Sequence, residues 1–207
     1  MEEELMLCAE HYDALILENN DPVRDPPPLQ AYMAQWDGAA FLALLQLTGR
    51  ESVLEIGVGT GRLAQKTAPL CNLFAGIDLS AQTIARAKEN LRAFNRVQLI
   101  CGDFLTFSFA TRFDVIYSSL CFMHIQDKQK AIQKVAALLN NGGRFVLSID
   151  KNPASVLDMG TRQLRIYPDS PQQIRQLLNQ ADLKLYAAEE TTLAYLFAAQ
   201  KQPTSEQ

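Results

Sequence analysis

Three glycines between a predicted strand and a predicted helix form the part of this chain best suited to binding a ligand. The segment covers residues 55–61 and reads EIGVGTG. Gly57, Gly59 and Gly61 permit a tight turn and let a ligand lie against bare backbone. The helix that follows contributes backbone N–H groups without an intrahelical partner. The segment therefore predicts a small-molecule site formed largely by main-chain atoms.

Carboxylates lie at the ends of the first three predicted strands. Glu55 closes the first strand, Asp78 closes the second, and Asp103 follows the third, directly before Phe104. Because parallel strands end at one edge of a sheet, these side chains are expected around one crevice. Glu55 suits a cationic amino group and repels a pyrophosphate. Asp78 suits ribose hydroxyls, whereas Asp103 and Phe104 suit the amine and ring of adenine. Taken singly, each carboxylate could instead cap a helix or form a turn.

The glycine segment alone leaves other functions open. Residues 59–64 read GTGRLA, which also fits the dinucleotide fingerprint G-x-G-x-x-A. Asp78 would contact a ribose in that case as well. A nicotinamide-dependent oxidoreductase is therefore one alternative, and a cofactor-binding regulator without catalytic activity is another.

Short β-rich runs alternate with helical stretches through the middle of the chain. This alternation predicts a doubly wound α/β fold, in which helices cover both faces of a parallel sheet. Strands are predicted at residues 53–56, 73–78, 97–101, 113–118 and 144–149, and helices at residues 61–70, 80–94 and 127–140. Ser80 and Asp127 are suited to capping the last two of these helices.

The C-terminal part has a different order of elements. A Ser-Pro pair at residues 170–171 predicts a helix that runs to about residue 180. Two strands are predicted after it, at residues 183–187 and 193–199. The connection between them is too short for a helical crossover, so they are expected to form an antiparallel hairpin.

The N-terminal part is predicted to be a helical cover on the main domain. Helical patterns at residues 5–18 and 29–47 flank a proline-rich segment, and neither helix could bury a core alone. The chain is interpreted as one domain with a helical cover at 1–48, a cofactor-binding core at 49–150, a substrate-side loop, helix and hairpin at 151–201, and a tail at 202–207.

The stretch VLEIGVGTG at residues 53–61 resembles the first motif of the class I S-adenosylmethionine-dependent methyltransferases. The resemblance covers residues 52–149 and extends weakly to the C-terminal hairpin. It implies a Rossmann-like seven-stranded mixed sheet with strand order 3-2-1-4-5-7-6, and S-adenosyl-L-methionine as the cofactor. Tyr12 and Trp36 would close over that cofactor, unless both are core residues of amphipathic helices. The resemblance also implies cofactor contacts at Gly57, Gly59, Gly61, Asp78, Leu79, Asp103, Phe104, Ser118 and Ser119.

Methyl transfer to a small molecule requires mainly positioning and exclusion of water. The donor is already activated, so neither a metal nor a covalent nucleophile is expected. His124, after the fourth strand, is the candidate general base for an O, N or C acceptor, although it could instead pack at the start of the next helix and bond to the backbone. His11 is expected at the surface. Four side chains of the substrate-side loop are expected either to meet an anionic or polar substrate or to be solvated: Lys151, Arg162, Arg165 and Tyr167.

The composition restricts the partners. The formal net charge of −4 argues against nucleic acid and against an anionic membrane surface. No apolar run is long enough to span a bilayer, and the acidic first residues differ from a secretion signal. The four cysteines show no CxxC spacing, which makes a zinc site improbable. A cytoplasmic monomer or homodimer that acts on a small molecule is therefore expected.

Overall fold

The computed structural model describes residues 6–203. The helices in this part of the chain are α1 (Cys8–Leu17), α2 (Pro27–Asp37), α3 (Ala39–Leu44), α4 (Ala64–Thr67), α5 (Ala81–Asn90), α6 (Lys128–Leu138) and α7 (Pro171–Gln180). The strands are β1 (Ser52–Ile56), β2 (Leu73–Asp78), β3 (Val97–Cys101), β4 (Phe113–Ser119), β5 (Leu139–Asp150), β6 (Val156–Asp158), β7 (Gln163–Arg165), β8 (Leu183–Glu190) and β9 (Ala194–Lys201).

Seven of the strands form one mixed sheet in the order β3-β2-β1-β4-β5-β9-β8. The first five strands are parallel, whereas β9 runs antiparallel to both β5 and β8. With β8 and β9 as the sixth and seventh strands, this is the predicted order 3-2-1-4-5-7-6. The doubly wound α/β fold and the antiparallel last hairpin are confirmed.

Helices bury both faces of this sheet. On one face, Ile132 of α6 and Ile174 of α7 belong to a buried apolar cluster with the strands. On the other face, Phe41 of α3 and Ile84 of α5 belong to a second cluster. Central strands covered on both sides need apolar residues at nearly every position, which is why β1 reads as a continuous run rather than an alternating one. Ser80, Asp127 and Ser170 cap α5, α6 and α7 as expected, each accepting from the backbone N–H three residues further on, at 2.9, 2.9 and 3.4 Å.

Gly38 interrupts the helix expected over residues 29–47. α2 ends at Asp37 and α3 begins at Ala39, while Gly38 itself has φ −75° and ψ −145°. A Cβ at Gly38 would lie 2.5 Å from the carbonyl oxygen of Ala34, so the break requires glycine. The interruption leaves the Asp37 side chain fully buried beside the glycine loop.

Two other expected elements have different bounds. The helix expected over residues 61–70 is reduced to α4 and a 3-10 turn at residues 68–70. Gly61 has φ +95°, which is incompatible with a helix, and Pro69 lacks a backbone donor. The substrate-side loop contains the unexpected hairpin β6–β7, with Gly160 at φ +77° in its turn.

The helical cover is attached to the sheet domain by polar contacts of two aspartates. Asp13 of α1 accepts from the Ser80 hydroxyl at 2.6 Å and from the backbone of Gln82 at 3.0 Å. Asp21 accepts from Arg86 and Asn90 of α5 at 3.1–3.2 Å. The ends of the expected cover and tail, residues 1–5 and 204–207, lie outside the described residues. Between residues 6 and 203, no helix is both long and apolar enough to cross a membrane.

Candidate functional site

A cavity of about 400 Å³ opens at the carboxyl edge of β1, β2, β3 and β4. Its volume is in the range usual for small-molecule sites, about 300–1,000 Å³. Its walls come from the loops after these strands, from α1 and α2, and from the segment after β4. Open α/β sheets bind ligands at this edge, so the cavity is the candidate site.

The glycine loop forms the floor of this cavity. Gly57 and Gly59 have φ +75° and +55°, and both line the cavity. A Cβ at Gly57 would lie 2.5 Å from the side chain of Cys121, whereas a Cβ at Gly59 would meet nothing within 4 Å. Gly59 therefore leaves bare backbone facing open space. Gly61 does not line the cavity. It faces Leu91 instead, because a Cβ at this position would lie 3.1 Å from the Leu91 side chain.

Asp78 joins the end of β2 to the glycine loop. Its Oδ2 accepts from the backbone N–H of Gly59 and its Oδ1 from that of Ser80, both at 3.0 Å. Burial raises the pKa of Asp78, and these two hydrogen bonds offset the rise only in part. The neighbouring Leu79 lines the cavity and is 43% exposed, so an apolar surface is available at the rim.

Glu55 is almost fully buried and lines the same cavity. Its Oε2 accepts from the hydroxyl of Tyr117 at 2.8 Å. Burial raises the pKa of Glu55 well above its usual range, and the Tyr117 hydrogen bond opposes this only partly. A cation bound beside Glu55 would favour the ionised form.

Asp103 and Phe104 line the cavity after β3. Asp103 is held by a hydrogen bond from the backbone N–H of Leu105 to its Oδ1, at 2.8 Å. Phe104 is buried, and the Lys134 ammonium lies 5.4 Å from the centre of its ring. A carboxylate and an aromatic surface are thus adjacent at this end of the cavity.

The two serines at the end of β4 differ in position. Ser118 is fully buried away from the cavity and donates to the carbonyl oxygen of Ile56 at 2.9 Å. Ser119 lines the cavity and donates to Asp37 Oδ2 at 2.5 Å. Trp36 does not line the cavity; its ring packs against Tyr32 and the core, and its carbonyl oxygen accepts from Ser148.

Asp37 does not line the cavity, but it binds two residues that do, and the sequence analysis missed it. It accepts from both terminal nitrogens of Arg62, one at 2.8 Å, and from Ser119. Although burial opposes it, the hydrogen bonds to Asp37 raise the pKa of Arg62. The end of α2, the glycine loop and the end of β4 therefore meet at one buried ion pair. The Asp-Gly sequence within an otherwise helical pattern was the available signal.

Tyr12 and His124 line the cavity together. The Tyr12 oxygen lies 2.8 Å from His124 Nε2, and the rings meet edge to face. Burial lowers the pKa of His124 to about 4, so its ring is neutral near pH 7. Burial also raises the pKa of Tyr12, which keeps the phenol protonated. The candidate base is thus present in the cavity, paired with the cover.

His11 was wrongly expected at the surface. It is 1% exposed, and its Nδ1 accepts from Arg162 Nε at 3.1 Å. Arg162 also donates to Glu18 at 2.9 Å, so it joins α1 to the β6–β7 hairpin. Lys151 donates to Glu190 and to the carbonyl oxygen of Thr191, both at 2.6 Å. Lys151 and Arg162 are therefore already paired.

Residues 53–143 match the family model described as a methyltransferase domain. An uncharacterized methyltransferase of Bacillus cereus is 40% identical over 100 residues, which are 47% of this chain and 46% of that protein. The chain spans about half the length of the curated relatives it matches. The sequence similarity is therefore concentrated in the segment that builds the cavity.

Two solved structures share the fold across nearly the whole chain. The N-methyltransferase NodS of Bradyrhizobium japonicum in complex with S-adenosyl-L-homocysteine has a TM-score of 0.69 at 20% identity, covering 92% of this chain and 97% of that one. The cyclase SpnF has a TM-score of 0.74 at 16% identity, covering 99% of this chain and 100% of that one. At such identities the likeness concerns the fold, which can support more than one reaction. Residues 53–143 are therefore similar to a methyltransferase domain, and the chain shares the fold of solved methyltransferase structures.

Proposed function

We propose that this protein transfers a methyl group from S-adenosyl-L-methionine to a small molecule. One observation carries the proposal: carboxylates from three successive strand ends and an open glycine backbone line a single cavity. Glu55, Asp78 and Asp103 are these carboxylates, and Gly59 is the open glycine. The family match covers the same strands.

Each part of the cofactor has a suitable partner in the cavity. Asp78 would accept from the ribose hydroxyls, since each carboxylate oxygen keeps a free lone pair. Leu79 and Phe104 would contact the faces of adenine, and Asp103 would accept from its amine. The methionine part would lie against Gly57 and Gly59, with Glu55 and Ser119 near its amino group. Gly61, Ser118 and Trp36 are not included, because none of them lines the cavity.

When bound, the cofactor would supply a methyl group on a sulfonium; the acceptor would attack the methyl carbon in line with the carbon–sulfur bond, and the thioether would leave. The protein contributes orientation and exclusion of water. The cover supports both, because Tyr12 and Met33 form part of the cavity wall.

The charges in the cavity disfavour a nicotinamide cofactor. A pyrophosphate would lie among three acidic side chains, and its negative charge would oppose their ionisation. Of the residues 6–203 that line the cavity, Arg62 is the only lysine or arginine, and Asp37 already binds it. The proposed methyl donor, in contrast, carries a positive charge.

Isothermal titration calorimetry with S-adenosyl-L-homocysteine, NADH and NADPH tests the cofactor. We expect binding of S-adenosyl-L-homocysteine alone. Asp78→Asn should weaken it about tenfold or more, since a hydrogen bond to a charged group contributes about 1.5–3 kcal/mol. Asp182→Asn is the matched control, because Asp182 lies outside the cavity at φ 56°, a conformation that asparagine tolerates.

Transfer of a labelled methyl group to a panel of small molecules tests the activity itself. Cofactor binding without transfer to any of them would favour the non-catalytic regulator. Binding of NADH or NADPH in place of S-adenosyl-L-homocysteine would refute the proposal.

A further inference from the structure

Tyr12 and His124 line the cavity but take no part in the proposed cofactor contacts. They belong to different parts of the chain, α1 and the segment after β4, and meet through the 2.8 Å contact between the Tyr12 oxygen and His124 Nε2. Their edge-to-face ring packing fixes both side chains, with ring centres 5.4 Å apart. The cavity thus has a preformed polar pair on a wall that the proposed cofactor contacts do not use.

This pair can accept one further hydrogen bond from a ligand. A tyrosine oxygen has two lone pairs, and the contact with His124 uses one of them at most. The oxygen therefore keeps a free lone pair whichever of the two atoms donates. The pair is also uncharged near neutral pH, because burial raises the pKa of Tyr12 and lowers that of His124.

The surrounding wall is mostly apolar, although Gln126 also lines the cavity there. Cys8, Met33, Leu120, Cys121 and Ile125 line the cavity together with the pair. Such side chains favour an apolar ligand body and penalise a ligand charge that lacks a partner.

The cations near this wall are already bound by other groups. Lys128 donates to the carbonyl oxygen of Tyr167 at 2.9 Å, and its Nζ lies 3.0 Å from Asp169 Oδ1. Arg162 binds Glu18, and Arg62 binds Asp37. A carboxylate or phosphate on an acceptor would have to displace one of these partners.

We propose that the methyl acceptor is an uncharged, largely apolar molecule whose reacting hydroxyl donates a hydrogen bond to the Tyr12 oxygen. This inference rests on the proposed function. With its proton directed at Tyr12, the hydroxyl keeps a lone pair free to attack. Tyr12 is thereby a specificity-determining residue for the acceptor.

Tyr12 and His124 can also take up the proton that the acceptor hydroxyl loses during the transfer. The acceptor oxygen forms a bond to the methyl carbon as the sulfur–carbon bond breaks, and that electron pair stays on sulfur. The hydroxyl proton moves to the Tyr12 oxygen while Tyr12 passes its own proton to His124 Nε2. A weakly basic imidazole suffices, because an oxygen that is being methylated becomes strongly acidic.

Three phenols with the same ring and different charges test the acceptor class. They are 4-ethylphenol, which is neutral, 4-hydroxyphenylacetate, which is an anion, and tyramine, which is a cation. Each is titrated calorimetrically into the protein loaded with S-adenosyl-L-homocysteine near neutral pH. We expect 4-ethylphenol to bind about tenfold tighter than either charged analogue, since burying an unpaired charge costs at least as much as an unmade hydrogen bond.

Tyr12→Phe tests the hydrogen bond. It should weaken 4-ethylphenol about tenfold, the loss expected for one hydrogen bond, and change the affinity for S-adenosyl-L-homocysteine by a smaller factor. Tyr32→Phe is the matched control on the cover, because Tyr32 is 49% exposed and does not line the cavity. It should change neither affinity.

The outcomes separate the two proposals. Equal or tighter binding of a charged analogue, no binding of 4-ethylphenol, or an unchanged affinity in Tyr12→Phe would overturn the acceptor class while S-adenosyl-L-homocysteine still binds. Failure of S-adenosyl-L-homocysteine to bind would overturn the proposed function, and this inference with it.

Discussion

Removing the charge of Asp37 should destabilise the protein strongly. Asp37 is fully buried, whereas its partner Arg62 keeps 18% of its side chain exposed. Loss of one member of a buried ion pair costs about 3–5 kcal/mol, because the other charge is left without compensation. In Asp37→Ala the remaining guanidinium reaches some water, so we expect about 3 kcal/mol, the lower end. In Arg62→Ala the remaining carboxylate is enclosed, so we expect about 5 kcal/mol, the upper end.

The double variant tests the reasoning most sharply. With both charges absent, neither penalty for an uncompensated charge remains. Its loss of stability should therefore fall below the sum of the single losses by at least about 2 kcal/mol.

Urea unfolding followed by circular dichroism and by the fluorescence of Trp36, the single tryptophan, measures these free energies. Glu190→Ala, which removes the 62% exposed partner of Lys151, is the control and should cost at most about 1 kcal/mol. A loss below about 1 kcal/mol in Asp37→Ala, or strictly additive single losses, would refute the account of this ion pair.

Two pH predictions concern buried groups of the cavity. Burial raises the pKa of Glu55, so the folded protein retains a proton that the unfolded chain releases above about pH 4.5. Glu55→Gln should therefore gain stability relative to the wild type as pH rises above about 4.5; a pH-independent difference in urea unfolding would contradict this. Burial lowers the pKa of His124 to about 4, so its contribution is complete above about pH 6.5 and is lost as pH falls toward 4. His124→Gln should lose less thermal stability than the wild type over that interval, and parallel losses would count against a neutral buried ring.

The sheet and its caps were predictable because their signals are local. Short apolar runs specify buried parallel strands, and a serine or aspartate before a helical pattern specifies its first turn. Ser80 and Asp127 each accept a hydrogen bond from a backbone N–H only three residues further along the chain, so the sequence alone shows both partners.

The distinction between Ser118 and Ser119 was not predictable. Side chains alternate between the two faces of a strand, so only one of two neighbours at a strand end faces a given cavity. This alternation shows that neighbouring side chains point to opposite faces, but not which of them points to the cavity. Burial does not distinguish the two faces, because both faces of β4 are buried. The structure shows that Ser119 faces the cavity and that Ser118 bonds to β1.

The buried polar contacts of the cover depend on distant partners. His11 is enclosed because Arg162, 151 residues away, packs on it. Asp37 is buried beside Arg62 and Ser119, which lie 25 and 82 residues further along the chain. Periodicity alone treats such residues as surface or helix-end positions, since no local feature marks their partners.

A crystal structure with S-adenosyl-L-homocysteine tests the assignment of the cavity most directly. The account predicts the ribose hydroxyls within hydrogen-bond distance of Asp78, the adenine amine beside Asp103, and the sulfur next to Gly57 and Gly59. Density for the ligand outside this cavity, or in it with Asp78 and Asp103 making no contact, would contradict the account.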